Sequence, residues 1–214
     1  MNFKSFKEFI TEAKKALEPP FLPTPTMAEL FALGVKPEAT QRDTTIVSEL
    51  KRYLTDDERT HSLDYGAGRC HSKNSIPTIE MYEIEPPEKA KPTYTVFDSI
   101  KKKYKLVINT YVLNVCAEDV RRIIVSQIGS LLDEGGRAII VTRGTDVAGA
   151  KTYKDYKYGE LEHITKGAGG LTYQKGYYLD ELIDFCQEVL GSEFTVKKFQ
   201  GSTASSVRVQ ITRD

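Results

Sequence analysis

The chain contains 214 residues, of which 40% are hydrophobic and 28% charged, and its formal net charge is zero. This composition predicts a soluble globular protein with one sizeable core. The balanced charge provides no overall attraction for nucleic acid. No apolar segment approaches the length of about 20 residues that crosses a bilayer, and the N-terminus lacks the apolar region of a secretory signal. We therefore expect a cytoplasmic protein that does not bind membranes.

The cysteines and histidines predict neither disulfides nor a metal site. They are far apart, with no C-x-x-C motif and no spacing typical of metal ligands. These residues are Cys70, Cys116, Cys186, His61, His71 and His163.

The first 24 residues differ from the rest of the chain. Apolar residues recur at positions 3, 6, 9, 10, 13 and 17, which predicts an amphipathic helix. Prolines at 19, 20, 23 and 25 then break the helix and predict an extended linker. Residues 25–214 are expected to form the folded domain. It begins with helices over residues 27–33 and 45–54, the second with a polar N-cap in the segment 42–45.

A glycine turn follows the first predicted strand. Residues 62–65 contain an acid, Asp64, and lead directly into Gly66-Ala67-Gly68. A Cβ at either glycine would obstruct a tight turn or hold a ligand away from the backbone amides. The segment therefore indicates either a nucleotide-binding loop or an ordinary strand-to-helix turn.

Polar residues also end the next three predicted strands. Residues 77–86 form the second strand, with Glu83 or Glu85 at its end. Residues 94–97 form a third strand that precedes Asp98 and Ser99, and residues 105–108 a fourth that precedes Asn109. In an open parallel sheet, ligands bind at the carboxyl ends of the strands, where an acid can accept hydrogen bonds from both ribose hydroxyls.

The C-terminal half predicts alternating helices and strands around one insertion. A helix over residues 117–132 is capped by Gly135-Gly136 and leads into a fifth strand, 137–142. Residues 144–177 carry tyrosines interleaved with lysines and glycines, which would either close over an acceptor or stack on nucleic acid; we favour the first. A helix over 179–190 and strands over 194–199 and 206–211 end the chain.

Five segments, in order and spacing, resemble the motifs of class I S-adenosylmethionine-dependent methyltransferases. They are residues 63–68, 83–86, 97–99, 107–115 and 131–140, and the resemblance covers roughly residues 60–214. It implies a Rossmann-like three-layer α/β sandwich whose seven-stranded sheet is mostly parallel with an antiparallel last strand. It also implies that S-adenosylmethionine binds to Asp64, Gly66, Ala67, Gly68, Glu83, Ile84, Asp98, Ser99 and Asn109.

The methyl acceptor is not evident: a small molecule, a nucleic acid and a protein all remain. The segment Asn109-Thr110-Tyr111-Val112 departs from the Asp/Asn-Pro-Pro-Tyr/Phe motif of enzymes that methylate base amines, and no Pro-Cys pair is present for attack on cytosine. Nucleic acid is therefore not the favoured acceptor. Tyr111 and Arg143 are the catalytic candidates on the acceptor side, with His163 a further polar group there.

Two other interpretations remain open. An NAD site uses the same strand, turn and ribose acid, but His71 stands where the third glycine of G-x-G-x-x-G is expected. A non-catalytic binding protein with the same fold would explain the lack of an evident general base. In addition, the N-terminal segment resembles the targeting peptides of proteins packaged in the heads of T4-like phages, and Ile10-Thr11-Glu12 followed by Ala13 resembles their cleavage site. This resemblance implies a phage protein, present in the host cytoplasm and in the virion.

Overall fold

The computed structural model describes residues 21–36, 44–167 and 169–214. The predicted N-terminal helix, most of the proline-rich linker, and Arg42 and Asp43 lie outside these residues. The helices are α1 (Met27–Ala32), α2 (Thr44–Leu50), α3 (Asp56–Thr60), α4 (Glu118–Leu131) and α5 (Leu179–Leu190). The strands are β1 (Ser62–Tyr65), β2 (Glu80–Tyr82), β3 (Tyr104–Thr110), β4 (Leu132–Arg143), β5 (Thr152–Gly159), β6 (Glu162–Gly167), β7 (Gly170–Lys175), β8 (Phe194–Lys198) and β9 (Ser206–Arg213).

The main sheet has the strand order β2-β1-β3-β4-β9-β8. The first four strands are parallel, while β9 runs antiparallel to both β4 and β8. The mostly parallel α/β fold with an antiparallel last strand is therefore confirmed. Its carboxyl edge, formed by the ends of β1, β2, β3 and β4, is the edge where the predicted ligand-binding residues lie.

Side chains alternate between two apolar layers because successive strand residues point to opposite faces. In β4, Ala138 and Ile140 pack toward α4 and α5, whereas Ile139 and Val141 pack toward Val47 of α2. The three-layer arrangement follows from this alternation. Within the described residues, no helix combines the length and apolarity needed to cross a bilayer.

The prediction of a seventh strand is wrong for the described residues. The segment predicted as the third strand makes only an isolated parallel bridge between Tyr94 and Tyr82. It then enters a 3₁₀ turn, Phe97–Ser99, in which Ser99 Oγ donates to the Val96 carbonyl at 2.6 Å. This local side-chain hydrogen bond competes with a strand ladder. The sheet consequently ends at β2 with six strands.

The predicted glycine cap of α4 is also corrected. The helix ends at Leu131, and Leu132 already has extended backbone angles. Gly135 and Gly136 lie inside β4, next to a register shift in its pairing with β3. A Cβ at Gly136 would lie 2.7 Å from the Tyr104 carbonyl oxygen, so glycine is required there by close strand packing.

The insertion forms a separate antiparallel sheet, β5-β6-β7. One face of this sheet packs against α1 and the start of α4, through Ile164, Tyr173, Leu30 and Ala117. Residues 145–149 form a 3₁₀ turn that connects β4 to the insertion. The predicted acceptor-side insertion is thus a folded layer attached near the carboxyl edge of the main sheet.

A partly buried ion pair joins α3 to β4. Arg137 Nε donates to Glu58 Oε1 at 2.5 Å, and Arg137 Nη2 donates to Glu58 Oε2 at 3.1 Å. Burial by itself would raise the pKa of Glu58. The hydrogen bonds from Arg137 and Thr55 and the charge of Arg137 outweigh burial and hold this pKa below its ordinary value.

We expect Glu58→Gln to lower the free energy of unfolding at pH 7 by about 1–2 kcal/mol. Because the pKa of Glu58 is lowered by folding, its contribution is complete above the unfolded carboxyl pKa of about 4.3 and is lost as the pH falls through the lower folded value. Denaturant unfolding at pH 7 and pH 3 should show the difference shrinking. Asp56→Asn, which removes an exposed pair with Arg59, is the control and should cost less than about 0.5 kcal/mol. A constant difference at both pH values would contradict the assignment.

Candidate cofactor and acceptor site

The glycine turn after β1 is held by the end of β2. The amides of Gly66 and Ala67 both donate to the Tyr82 carbonyl, at 2.9 and 3.0 Å. Gly66 has a φ of +80°, and a Cβ there would lie 2.5 Å from Val112 Cγ2. Gly68 also has a positive φ, +51°. The turn therefore needs glycine for its own backbone and packing, and a larger residue at Gly66 would disturb the fold as well as a ligand.

Glu83 contacts this turn directly. Its Oε2 accepts a hydrogen bond from the Gly68 amide at 2.6 Å, and its Oε1 accepts one from the Glu85 amide at 3.4 Å. Glu83 is half-buried, whereas Glu85 is exposed. Of the two acids proposed for the ribose, Glu83 is the one placed beside the glycine turn. A carboxylate oxygen has two lone pairs, so both oxygens retain acceptor capacity for ligand hydroxyls.

Two buried polar residues underlie the turn. Asp64 is 4% exposed and accepts a hydrogen bond from Ser72 Oγ at 2.5 Å. Asn109 is fully buried, and its Nδ2 donates to the Tyr65 carbonyl at 2.8 Å, which ties the end of β3 to the end of β1. Asn109 Oδ1 has no hydrogen-bond partner among the described residues. This acceptor at the carboxyl edge fits a ligand that carries an N–H or O–H donor.

An exposed apolar surface adjoins Glu83. Ile84 is 69% exposed and Val96 is 60% exposed, each following one partner of the Tyr82–Tyr94 bridge. Asp98 and Ser99 are both exposed. Burial raises the pKa of the Tyr82 hydroxyl, and the carboxylates of Glu83 and Asp98 raise it further. The residues expected to contact the adenine, Ile84, Asp98 and Ser99, are therefore all exposed.

The catalytic candidates Tyr111 and Arg143 both adjoin Ser206, Tyr111 through its hydroxyl and Arg143 through its backbone. Tyr111 has a φ of +57°, and its hydroxyl lies 3.3 Å from Ser206 Oγ. Arg143 is paired with Ser206 in the β4–β9 ladder, but its guanidinium forms an ion pair with Asp146, with Nε at 2.9 Å. The Tyr111 and Arg143 side chains thus already contact other side chains of this protein, Ser206 and Asp146.

His163 lies on β6 and is 1% exposed. Burial lowers its pKa, and the positive charges of Lys157 and Arg143 lower it further. Burial and the nearby cations therefore favour the neutral imidazole. No group of three or more His, Cys, Asp and Glu in the described residues is arranged to hold a metal ion.

Sequence reasoning missed a buried cation beside Tyr111. Arg208 is 4% exposed, and its Nη2 donates to Glu49 Oε2 at 3.0 Å. Its Nε lies 3.5 Å from Ser206 Oγ, so it joins the same network as Tyr111. The alternation of side chains in β9 could have revealed this residue. Val207 and Val209 pack toward α4 and α5, so Arg208 between them must point to the opposite face of the sheet.

Solved structures share this fold, although no family model and no curated protein matches the sequence. The CcbJ methyltransferase from Streptomyces caelestis is 15% identical, with a TM-score of 0.54 over 78% of this chain and 93% of that chain. The glycopeptide N-methyltransferase MtfA, complexed with S-adenosylmethionine, is 11% identical, with a TM-score of 0.55 over 83% and 96%. A sugar N-methyltransferase from a Streptoalloteichus species is 12% identical, with a TM-score of 0.53 over 90% and 94%. The chain has the Rossmann-like fold of S-adenosylmethionine-dependent methyltransferases.

Proposed function

We propose that this chain binds S-adenosylmethionine at the carboxyl edge of its main sheet and transfers the methyl group to an acceptor that is not identified. The observation that carries the proposal is the contact between Glu83 and the Gly68 amide. This contact joins the predicted ribose acid to the glycine turn at the edge where ligands of such sheets bind. The similarity in fold to the methyltransferases described above supports the same conclusion.

Each cofactor-binding residue has a separate task in this proposal. Glu83 accepts hydrogen bonds from the ribose hydroxyls, while Ile84 covers one face of the adenine. Asp98 and Ser99 bound the adenine, and Asn109 Oδ1 accepts a donor from the methionine part. The glycine turn, with Ala67 and Asp64, leaves room for close approach of the ligand to the backbone.

The reaction places few demands on the acceptor-side residues. The sulfonium of the cofactor supplies an activated methyl group, so the chain must mainly align an acceptor lone pair. Tyr111 and Arg143 already bind Ser206 and Asp146, which favours acceptors that need little proton removal, such as a neutral amine. Two proteins of similar fold are named as a glycopeptide N-methyltransferase and a sugar N-methyltransferase, and methyl transfer to nitrogen supports this class. Nucleic acid and protein acceptors remain hypotheses.

A non-catalytic binding protein is the second candidate. The observation that favours it is the same internal pairing of Tyr111 and Arg143, since a general base must be within reach of the acceptor proton. Such a protein would bind the cofactor and act on a partner without methyl transfer.

The N-terminal peptide carries a further proposal, that residues 1–12 target the protein to a phage head and are removed there. It rests on the sequence resemblance alone, since these residues lie outside the described part of the chain. Mass spectrometry of protein from purified particles would show an N-terminus at Ala13. An intact Met1 or Asn2 in packaged protein would rule out cleavage at this site.

Calorimetric titration of the purified chain tests the proposed cofactor. S-adenosylmethionine and S-adenosylhomocysteine should each bind with a stoichiometry of one, because both join the adenosine that Glu83 and Ile84 contact to the amino-acid part assigned to Asn109. NAD is the control and should not bind, because it shares the adenosine but carries a pyrophosphate in place of the amino-acid part. Binding of NAD together with no binding of either adenosyl compound would overturn the proposal.

A further inference from the structure

A second cleft lies on the α4/α5 face of the molecule, away from the glycine turn. It has a volume of about 590 Å³ and is lined by residues of α4, α5, β6 and β7 together with Tyr177. None of the residues assigned above to the cofactor lines it. Its volume lies within the range of about 300–1,000 Å³ that is typical of small-molecule sites.

The inner end of the cleft contains hydrogen-bond donors without partners. Arg121 is 3% exposed, and its Nε and Nη1 have no hydrogen-bond partner among the described residues. Tyr177 is 2% exposed, and its hydroxyl likewise has none. The Arg121 guanidinium lies over the Tyr177 ring, 5.8 Å from its centroid, so these donors are close together. Buried donors of this kind usually bind a protein group, water or a ligand.

The groups already present at the inner end do not satisfy Arg121. Glu162 Oε1 is 3.8 Å from Arg121 Nη2, beyond hydrogen-bond distance, and accepts a hydrogen bond from the Tyr173 hydroxyl. Glu162 Oε2 lies 3.9 Å from Lys175 Nζ. The inner end therefore has two cations and one carboxylate, but Lys175 is also paired with Glu181, so the unsatisfied donors belong to Arg121 and Tyr177.

The rim of the cleft has the opposite balance. Arg122 is bound by Glu118 at 3.0 Å and by Glu188 at 2.9 Å, and Glu181 binds Lys175 at 2.5 Å. Asp184 is an additional exposed carboxylate. The rim thus contributes four carboxylates and one cation, a net negative charge.

We propose that this cleft binds a small amino acid-like zwitterion, with its carboxylate bound by Arg121 and Tyr177 and its ammonium facing the acidic rim. The unpaired donors at the inner end require an acceptor group. The negative rim disfavours a dianion such as phosphate and favours a ligand whose outer end is cationic. The cleft is then a second ligand site, independent of the methyl donor.

Titration calorimetry with three ω-amino acids, 3-aminopropanoate, 4-aminobutanoate and 6-aminohexanoate, tests this inference. At least one should bind, and the singly charged analogues of the same length, such as butanoate and butylamine for 4-aminobutanoate, should bind at least tenfold more weakly. Tyr177→Phe, which removes only the hydroxyl, should weaken binding at least fivefold, and Asp184→Asn should weaken it at least twofold.

Three outcomes would overturn the proposal. The first is that no ω-amino acid binds at concentrations of about 10 mM or below. The second is that butanoate binds as tightly as 4-aminobutanoate, and the third is that Tyr177→Phe leaves the affinity unchanged. Arg121→Lys is the most direct variant, but it disturbs a buried charge, so its result is used only if thermal unfolding matches that of the parent chain. Binding of S-adenosylmethionine should be unaffected by Tyr177→Phe, which separates this site from the cofactor site.

Discussion

Glu83→Ala is expected to weaken S-adenosylmethionine binding by about 2–4 kcal/mol, roughly 30- to 700-fold. The Glu83 carboxylate binds the glycine turn through the Gly68 amide at 2.6 Å. Its removal eliminates charge-assisted hydrogen bonds to the ribose and also releases the turn. Calorimetric titration of the variant and of the parent chain measures the change.

Glu85→Ala is the matched control for this prediction. Glu85 is exposed, two residues further along, and only its backbone amide contacts Glu83. The affinity of the Glu85→Ala variant for S-adenosylmethionine should therefore remain within about twofold of that of the parent chain. A large loss in Glu85→Ala with little loss in Glu83→Ala would mean that the other acid holds the ribose.

Gly144→Ala is expected to lower the free energy of unfolding by about 3 kcal/mol, the upper end of the usual cost of overpacking. A Cβ at Gly144 would lie 2.0 Å from the Ala204 carbonyl oxygen, and a backbone atom cannot move aside as a flexible side chain can. The Gly144 carbonyl in turn lies 2.2 Å from the position of a Cβ on Gly176. The start and the end of the insertion therefore meet at this point.

Gly149→Ala provides the control within the same loop. Among the described residues, no atom beyond the two chain neighbours lies within 4 Å of a Cβ at Gly149, so this change should leave stability unchanged or raise it slightly. Thermal unfolding followed by circular dichroism should show a melting temperature lower by about 6–12 °C for Gly144→Ala alone. Equal melting temperatures for the two variants would contradict the close packing at the junction.

Most of the main sheet was predictable because its patterns are local. The apolar strand before Gly66, the helical spacing of α4 and the helix over residues 179–190 follow from periodicity, and the structure confirms the last of these to the residue. The prediction of a third strand over residues 94–97 was wrong because of a local hydrogen bond that the pattern of apolar residues does not reveal. Ser99 binds the Val96 carbonyl and closes a turn where a ladder was expected.

The acceptor side was the least predictable part of the site. The pairing of Tyr111 with Ser206 joins residues that are 95 positions apart, and the ion pair of Arg208 with Glu49 joins residues that are 159 apart. Periodicity and motif spacing contain no information about such contacts. The register of the β6–β7 pairing could not be predicted for the same reason. This register places Glu162 next to Lys175, and Glu162 also lies near Arg121.

The central claim is that the cofactor lies on the glycine turn with its ribose on Glu83. A crystal structure of the chain with S-adenosylhomocysteine tests it most directly. The proposal predicts electron density at the carboxyl edge of the main sheet, with the ribose hydroxyls within hydrogen-bond distance of Glu83 and the adenine against Ile84. Density for the ligand elsewhere, or a fully occupied ligand whose ribose does not contact Glu83, would contradict it.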